Sequence, residues 1–219
     1  SLMTNQPIEI DITSETIGSG GTRLCFPFPG DPNKCIKVYR PKSMLSNQKL
    51  RRLIRIWCAT HIPIFNTSWH EYRFWEIHLK DGPTQFCTYF PKFYKLTPTS
   101  LGPGLIVECI RDANGCISKN LRDWYPKATI SERKRAIKQI EFLTAIIIQR
   151  KLPCYDWGPQ NFLVQYSGND FQLKLIDFEG SLGNNDFIPI STICPPLRQL
   201  KLKRRIQRGL LAWLDQFER

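Results

Sequence analysis

The first half of the chain alternates apolar and polar residues in a way that is typical of β-strands. Residues 8–41 form short β-like runs separated by Gly and Pro turns, which predicts two or three antiparallel strands. The segments "TQFCTYFPKFYKL" (84–96) and "GLIVECIRD" (104–112) predict further strands around a turn-rich link. We therefore expect a β-rich region that ends near residue 108.

Helical periodicity is clearest in the second half. Residues 129–152 carry Ile and Leu at spacings of three and four, which predicts a long helix with one apolar face. Thr129 and Glu132 have the spacing of a capping box at its start. Three other segments have a helical pattern, namely residues 42–57, 68–79 and 197–217.

Two short strands, at residues 161–165 and 171–178, follow the long helix and are joined by a turn. The resulting order is strands, helices, strands, a long helix, a hairpin and a last helix. This order predicts an α+β fold with two lobes. We place a β-rich N-terminal lobe at residues 1–108 and a short, mostly helical C-terminal lobe at residues 109–219.

The composition is that of a globular protein with a basic surface. The 219 residues are 42% hydrophobic, and 31 Lys and Arg against 19 Asp and Glu give a net charge of +12. Such a surface favours nucleotide phosphates, nucleic acids or anionic lipid headgroups as partners. The densest basic run, residues 201–208, lies in the last predicted helix. A solvent-exposed helix face is the simpler interpretation, and a nucleic-acid or membrane contact is the alternative.

The cysteine pattern favours free thiols. The eight cysteines form no CxxC pair and no Cys/His set with zinc spacing. Cys35 and Cys109 lie in apolar runs, where cysteine behaves as a small hydrophobic residue. The sequence shows no signal peptide and no apolar run of about 18 residues. We therefore expect a cytoplasmic protein without stable membrane insertion.

Two segments of the predicted N-terminal lobe could bind phosphate groups. In "IGSGGTR" (17–23), the residues Gly18, Gly20 and Gly21 would let backbone amides approach phosphate oxygens closely, although a plain hairpin turn explains them too. Lys37 lies in a strand with apolar neighbours, so its side chain points away from theirs. It could reach the phosphates of a nucleotide, or it could simply face solvent.

Glu71 is the candidate partner that would hold Lys37 in place. The alternative explanation of Glu71 is the capping box with Ser68, which needs no catalytic role. Glu76 is the competing partner for Lys37. We favour Glu71.

The segment "YDWGPQNFLVQ" (155–165) is the most specific signal. Asp156 and Asn161 are five residues apart and precede a strand, as in a kinase catalytic loop, where the Asp orients the substrate hydroxyl and the Asn binds Mg²⁺. Asp177 follows 21 residues after Asp156, at the end of the next strand, where a carboxylate could bind Mg²⁺. Each aspartate alone is explained by a turn or a strand end, but the combined order indicates phosphoryl transfer.

With these motifs the chain resembles the protein-kinase-like superfamily, and more closely the YrbL family of small bacterial proteins tied to the PhoP regulatory network. The resemblance extends over nearly the whole chain, and the order of the motifs makes it specific. It implies a two-lobed protein-kinase-like fold that binds ATP and Mg²⁺ and transfers phosphate to an acceptor. The implied roles are a glycine loop at Gly18, Gly20 and Gly21, a phosphate-binding Lys37 with Glu71 as its helix partner, and a hinge near adenine from Glu108 to Ile110. In the C-terminal lobe, the resemblance implies that Asp156 is the catalytic residue and that Asn161 and Asp177 are the Mg²⁺ ligands.

Several positions depart from the protein-kinase pattern. Cys154 replaces the usual His two residues before the catalytic Asp, and Gly158 replaces the Lys two residues after it. Glu179 takes the place of the Gly of the DFG motif, and no A-P-E segment follows. The "D-x-x-P-x-N" pattern resembles small-molecule kinases of the aminoglycoside and choline type. We therefore expect a small molecule or an envelope sugar, rather than a peptide, as the unidentified acceptor.

Two other functions remain open from the sequence. A pseudokinase or nucleotide-binding scaffold would keep the fold and bind a regulatory protein partner, in line with the departures at the catalytic loop. A basic nucleic-acid or membrane-surface binder is the third hypothesis. Nucleic acid is not the partner we expect, because Trp69, Phe74, Trp75 and Trp124 lie in amphipathic segments and are predicted to be core residues.

Overall fold

The computed structural model is a mixed α+β protein with two antiparallel sheets and several helices, which confirms the α+β part of the predicted fold class. A kinase-like arrangement of two lobes stays a prediction. Contacts within the chain divide it into two compact units. The first comprises Ser1–Asp81 and Pro91–Cys109, and the second comprises Gly82–Phe90 and Ile110–Arg219. The predicted boundary after residue 108 placed Gly82–Phe90 in the N-terminal lobe, whereas the structure places this segment in the second unit. The residues that the structure describes are 6–19, 23–41, 50–62, 66–152, 154, 156–177, 202–204 and 206–217.

The sheet of the first unit has five strands in the order β1-β2-β3-β5-β4, and all neighbours are antiparallel. The first three strands confirm the prediction for residues 8–41. The strand bounds are Gly18–Ser19 for β1, Arg23–Phe28 for β2, Asp31–Tyr39 for β3, Phe93–Thr99 for β4 and Gly102–Glu108 for β5.

The two faces of the β2–β3 pair have different chemistry, because successive side chains of a strand point to opposite sides. One face belongs to an apolar core, and its buried members are Leu24, Phe26, Ile36, Val38 and Ile106. Cys25 lies directly opposite Lys37, so the other face carries the residues one position away, including Arg23 and Lys37. The strand pattern thus separates the core from the charged side chains.

Two helices complete the first unit. α1 spans Leu50–His61, so the predicted helix at 42–57 is present in part, and its residues 42–49 lie outside the described residues. α2 spans Thr67–Phe74 and continues as a π-helical turn at Trp75–Leu79. Trp75, the first residue of this turn, is half-buried, while Phe74 is in the core. Trp69 is 38% exposed, so its assignment to the core was wrong.

The second unit is built around the long helix and a three-stranded antiparallel sheet in the order β6-β7-β8. β6 spans Lys119–Asn120, β7 Phe162–Ser167 and β8 Asp170–Leu175, which confirms the predicted hairpin. The helices are α3 at Thr84–Cys87, α4 at Leu121–Trp124 with a 3-10 turn at Tyr125–Lys127, and α5 at Ile130–Gln149.

The long helix α5 begins and packs as its sequence indicates. The Thr129 side chain accepts a hydrogen bond from the Glu132 backbone, and the Glu132 carboxylate accepts one from the Thr129 backbone at 2.8 Å. This confirms the capping box. Ile140 and Leu143 are buried, and Ile147 continues the same apolar face one turn later.

The strand prediction for residues 84–96 was only half right. Thr84–Cys87 is a short helix, and the strand begins at Phe93. The helical turn lets Phe86 pack edge-on against Phe90, with ring centroids 5.1 Å apart, which an extended chain would separate. Tertiary packing therefore overrides the β-propensity of this aromatic run.

The C-terminal segment is helical where the structure describes it. Residues 202–204 and 206 are α-helical, followed by a π-helical turn at Gln207–Leu211, α6 at Ala212–Leu214 and a 3-10 turn at Asp215–Phe217. One face is buried and the described basic residues are exposed, which favours a solvent-exposed helix face as the explanation of the basic run. The buried residues are Leu202, Ile206, Leu210 and Leu214, and the exposed ones are Lys203, Arg204 and Arg208. No helix in the described part of the chain is long and apolar enough to cross a membrane.

Candidate functional site

A buried ion pair joins Lys37 to Glu71 in the first unit. The Lys37 Nζ atom lies 3.2 Å from Oε2 and 3.4 Å from Oε1 of Glu71. The Glu71 side chain is fully buried, and that of Lys37 is 12% exposed. The predicted contact between these two residues is therefore present. Their role in binding a nucleotide stays a prediction.

A second cation, which the sequence analysis missed, binds the same carboxylate. The Arg23 guanidinium donates to both Glu71 oxygens, with Nη2 at 2.9 Å from Oε1 and Nη1 at 3.1 Å from Oε2. Such a two-pronged contact is the strongest geometry for an Arg–carboxylate pair. Strand periodicity places Arg23 on the same face as Cys25, two residues later, and the pairing of Cys25 with Lys37 brings that face to the Lys37 side chain.

Helix α2 positions Glu71 through contacts at its N-terminus. Asn66 is the N-cap, and its side chain accepts a hydrogen bond from the Trp69 backbone at 3.0 Å. The Thr67 backbone donates to the Tyr39 hydroxyl at 2.7 Å, which ties the helix start to strand β3. The capping box of Ser68 and Glu71 was therefore wrong, because the helix begins earlier.

Ser68 and Glu76 have other partners. Ser68 is fully buried in the first turn of α2 and accepts a hydrogen bond from Arg23 at 3.4 Å. Glu76 forms an exposed ion pair with Arg73 at 3.3 Å. Glu71, and not Glu76, is therefore the carboxylate that the sheet buries beside its cations.

In the second unit, the end of the β7–β8 hairpin brings Asn161 close to Asp177. Phe162 pairs with Leu175, and the ladder continues one step further, where the Ile176 backbone donates to the Asn161 carbonyl at 2.9 Å. Asp177 is the next residue and is half-buried. Asn161 is 8% exposed and closes the 3-10 turn Pro159–Asn161. The two predicted Mg²⁺ ligands therefore lie at the same end of one hairpin.

The loop before this hairpin is held by a buried tryptophan. The Trp157 indole donates to the Cys154 carbonyl at 2.7 Å, and its ring packs against Phe162 at 5.7 Å. Both Trp157 and Cys154 are buried, so the Cys that replaces the usual His has a core environment. Asp156 is half-buried, and its carbonyl accepts a long hydrogen bond of 3.5 Å from the Asn161 amide.

The remaining predicted residues are only partly described. Gly18 is exposed and pairs with Cys25 in the sheet, while Gly20 and Gly21 lie outside the described residues. Glu108 ends β5, and its carboxylate accepts a hydrogen bond from the Lys92 backbone at 2.9 Å. Ile110 is buried in the second unit, where its carbonyl accepts from the Ser118 backbone. An adenine-binding role for Glu108 and Ile110 stays a prediction.

The donors of Asn161 and Asp177 fit a magnesium ion. Mg²⁺ prefers carboxylate and amide oxygens, and in nucleotide enzymes it takes most other ligands from phosphates and water. The Asn161 amide oxygen accepts no hydrogen bond from the described residues. Within the same residues no group of three or more His, Cys, Asp or Glu side chains forms a metal cage. Asn161 and Asp177 thus offer two side chains with oxygen ligands of the kind that Mg²⁺ prefers.

Comparison with known proteins identifies the family. The family model described as "PhoP regulatory network protein YrbL" matches residues 10–212, so the chain belongs to this family. The match covers all the candidate site residues described above. A comparison with curated proteins gave no match.

Proposed function

We propose that this member of the YrbL family transfers a phosphoryl group from ATP to an acceptor, with Mg²⁺ as the cofactor, within a kinase-like arrangement of two lobes. Lys37 would bind the nucleotide phosphates, and Asn161 and Asp177 would hold Mg²⁺ on them. When bound, Mg²⁺ would neutralise the charge that develops on the phosphates. Asp156 would orient the acceptor hydroxyl and take its proton. The proposed location is the cytoplasm, where ATP is available.

The buried Lys37–Glu71 pair is the observation that carries this proposal. A buried ion pair often contributes little net stability, because desolvation of both charges offsets their attraction. A largely buried Lys37 in the middle of a strand, on the face opposite the apolar core, is therefore better explained by a functional requirement for a positioned ammonium group. Arg23 supports this interpretation, since it holds the Glu71 carboxylate from the other side.

The catalytic-loop hairpin supports the same proposal independently. Mg²⁺ requires oxygen ligands that converge, and the hydrogen bond from Ile176 to Asn161 fixes the residue next to Asp177 against the Asn161 backbone. The buried Trp157 packs against Phe162 and donates to the Cys154 carbonyl of the preceding loop. Asp156 and Asn161 lie at opposite ends of this turn, where the Asn161 side-chain amide donates to the Asp156 carbonyl.

The nature of the acceptor follows from the departures in sequence. The chain has no A-P-E segment, and its "D-x-x-P-x-N" pattern resembles that of small-molecule kinases. We therefore propose a small molecule or an envelope sugar, with a hydroxyl group, as the acceptor. A peptide acceptor is disfavoured.

A pseudokinase that binds nucleotide and a regulatory protein partner is the second candidate. The observation that favours it is Cys154, which is fully buried at the position where active kinases have a His. This candidate predicts ATP binding without transfer. It shares the Lys37–Glu71 pair with the first candidate, so binding alone does not separate them.

The test is thermal unfolding with ATP, with Mg²⁺ and with both. A ligand that binds only the native state at about 100 times its Kd stabilises it by about 2.7 kcal/mol, which is a shift of several degrees. We expect an upshift for the wild type that needs Mg²⁺ and ATP together. Lys37→Ala and Asp177→Asn should lose it. Release of ADP in the presence of candidate sugars then separates an active kinase from a pseudokinase.

Matched variants on the same strands serve as controls. Lys34→Ala removes a half-buried Lys of β3 that pairs with Asp31, and Asp170→Asn changes an exposed carboxylate at the start of β8. Both should keep the full Mg²⁺·ATP shift. An absent shift in the wild type at millimolar ATP, or equal shifts in Asp177→Asn and the wild type, would overturn the proposal.

A further inference from the structure

One side of helix α1 carries large apolar side chains that the core of the first unit does not cover. Ile56 is 5% exposed, whereas Ile54 and Trp57 are 45% and 47% exposed. His61, one turn after Trp57, is also exposed, and its ring stacks on the Trp57 ring with centroids 4.9 Å apart. Residues three and four apart lie on one side of a helix, so Ile54, Trp57 and His61 form one exposed stripe.

The stripe continues onto neighbouring parts of the first unit. Ile62, directly after the helix, is 37% exposed, and Trp69 on α2 is 38% exposed. His61 and Trp69 line the same cleft of about 490 Å³, whose walls are mainly apolar. We call Ile54, Trp57, His61, Ile62 and Trp69 the α1 surface. Large apolar side chains that gather on an exposed surface mark a contact with another protein or with a membrane.

The segment that contains this surface is strongly basic and has no acidic residue. Between Asp31 and Glu71 the sequence contains neither Asp nor Glu. The Lys and Arg residues of positions 40–70 are Arg40, Lys42, Lys49, Arg51, Arg52 and Arg55. Helical periodicity places positions 51 and 55 next to Ile54, on the side away from Ile56. A matching partner therefore combines negative charge with an apolar interior.

An anionic membrane surface has both properties. A helix with an apolar face and an arginine-rich polar face lies in the plane of the lipid headgroups, with its apolar side chains at the boundary of the acyl chains. Tryptophan is enriched at this level because its ring is apolar and its N–H group is polar. Nucleic acid would match the arginines but offers no apolar phase to Ile54 and Ile62. The combination of the two kinds of residue favours the membrane.

We propose that the α1 surface binds membranes that contain anionic phospholipids, with Ile54 and Trp57 at the boundary of the acyl chains and the arginines of α1 at the lipid phosphates. The contact is peripheral. It uses residues of the first unit alone and none of those proposed to bind ATP or Mg²⁺, so it is independent of phosphoryl transfer.

The first test is flotation of the full chain with vesicles of phosphatidylglycerol and phosphatidylcholine, and with vesicles of phosphatidylcholine alone. We expect the chain to float with the anionic vesicles only, and added salt to weaken this binding because it screens the arginines. The double variant Ile54→Gln/Trp57→Gln should bind at least about tenfold more weakly. The control Ile77→Gln/Ile130→Gln replaces two even more exposed apolar residues elsewhere and should bind like the wild type.

The second test separates α1 from the general basic charge of the protein. Arg51→Gln/Arg55→Gln and Lys203→Gln/Arg204→Gln lower the net charge equally, but the second pair lies in the C-terminal basic run. Each basic residue near an anionic surface strengthens binding by about fivefold. The α1 variant should therefore lose far more affinity than the C-terminal variant. An equal or larger loss in the C-terminal variant would overturn the proposal.

The third test places Trp57 in the bilayer and needs only conservative substitutions. Phospholipids with bromine on the acyl chains quench a tryptophan that reaches them. We expect them to quench the wild-type chain, and Trp57→Phe to lose most of this quenching, whereas Trp213→Phe, in the second unit, should retain it.

The proposal is overturned if the wild type does not float with anionic vesicles or if Trp57→Phe is quenched like the wild type. Retention of duplex DNA or RNA that Ile54→Gln/Trp57→Gln abolishes, without flotation, would assign the α1 surface to nucleic acid and overturn it too.

Discussion

Replacing Glu71 by Gln should destabilise the first unit far more than the small change in side-chain shape suggests. Gln keeps one oxygen acceptor but places an amide NH₂ where the other oxygen was. That NH₂ then faces N–H donors of Arg23 and Lys37, and both cations lose their attraction to the Glu71 charge. Removing one partner of a buried ion pair costs about 3–5 kcal/mol, and we expect a loss of this size here.

The assay is urea unfolding combined with hydrogen exchange. Because the chain has two compact units, a single transition midpoint is a poor measure, and mass spectrometry of exchanging peptides reports the first unit alone. Peptides from β3 and α2 should lose protection in the variant. Peptides from α5, in the second unit, should exchange at wild-type rates.

A double-mutant comparison ranks the two cations. Arg23 makes the shorter, two-pronged contact and its side chain is 8% exposed, against 12% for Lys37. The coupling energy between Arg23 and Glu71 should therefore exceed that between Lys37 and Glu71. A larger value for Lys37 would contradict this ranking.

The control is Glu76→Gln, which breaks an exposed pair on the same helical segment. The side chain of its partner Arg73 is half exposed, so the free energy of unfolding should fall by less than about 1 kcal/mol. If Glu71→Gln costs as little as Glu76→Gln, the buried carboxylate is not held by its cations, and the reasoning is refuted.

Three smaller perturbations test other parts of the fold. Thr129→Ala removes the capping box of α5 and should cost about 1 kcal/mol in urea unfolding. The backbone and side-chain hydrogen bonds from Thr129 hold the pKa of Glu132 below its usual 4.5. The stability that the ionised Glu132 contributes is therefore present above that pH and is lost as the pH falls below it. In Thr129→Ala, stability should depend less steeply on pH in this acid range. Trp157→Phe keeps a buried ring but removes the indole hydrogen bond to the Cys154 carbonyl, and should cost about 1–3 kcal/mol in unfolding free energy, with faster exchange in the catalytic-loop peptide. Asn66→Ala removes the N-cap of α2 and should cost about 1 kcal/mol, whereas Asn66→Asp should cost almost nothing.

Much of the fold could be predicted from local patterns. The capping box and apolar face of α5 are local in sequence, and the β7–β8 hairpin has two apolar runs around a turn at Gly168 with φ +66°. The contact between Lys37 and Glu71 was predicted because two motifs of one family were sought together. In each case the signal lies within a few residues or in a known order of motifs.

Other features depend on contacts that sequence spacing does not encode. Ser68 and Glu71 have capping-box spacing, but the N-cap of helix α2 is Asn66, two residues before Ser68, and the Tyr39 hydroxyl accepts from the first helical N–H. Arg23 was missed because its role arises only when strand β2 is placed in register with β3. Register is a property of the paired strands, and a single strand does not reveal it.

The hairpin between β2 and β3 has one irregular position, and its location determines which changes in length the protein tolerates. The register shifts between Pro27 and Phe28, so the break lies between the Cys25–Lys37 pair and the turn at Gly30. Residues added at that turn can be absorbed at the irregular position. A one-residue deletion between Arg23 and Cys25 would instead move Arg23 to the opposite face of the strand, where the apolar core lies. The turn is therefore the place to insert a label or an affinity tag, and the strand that precedes it is not.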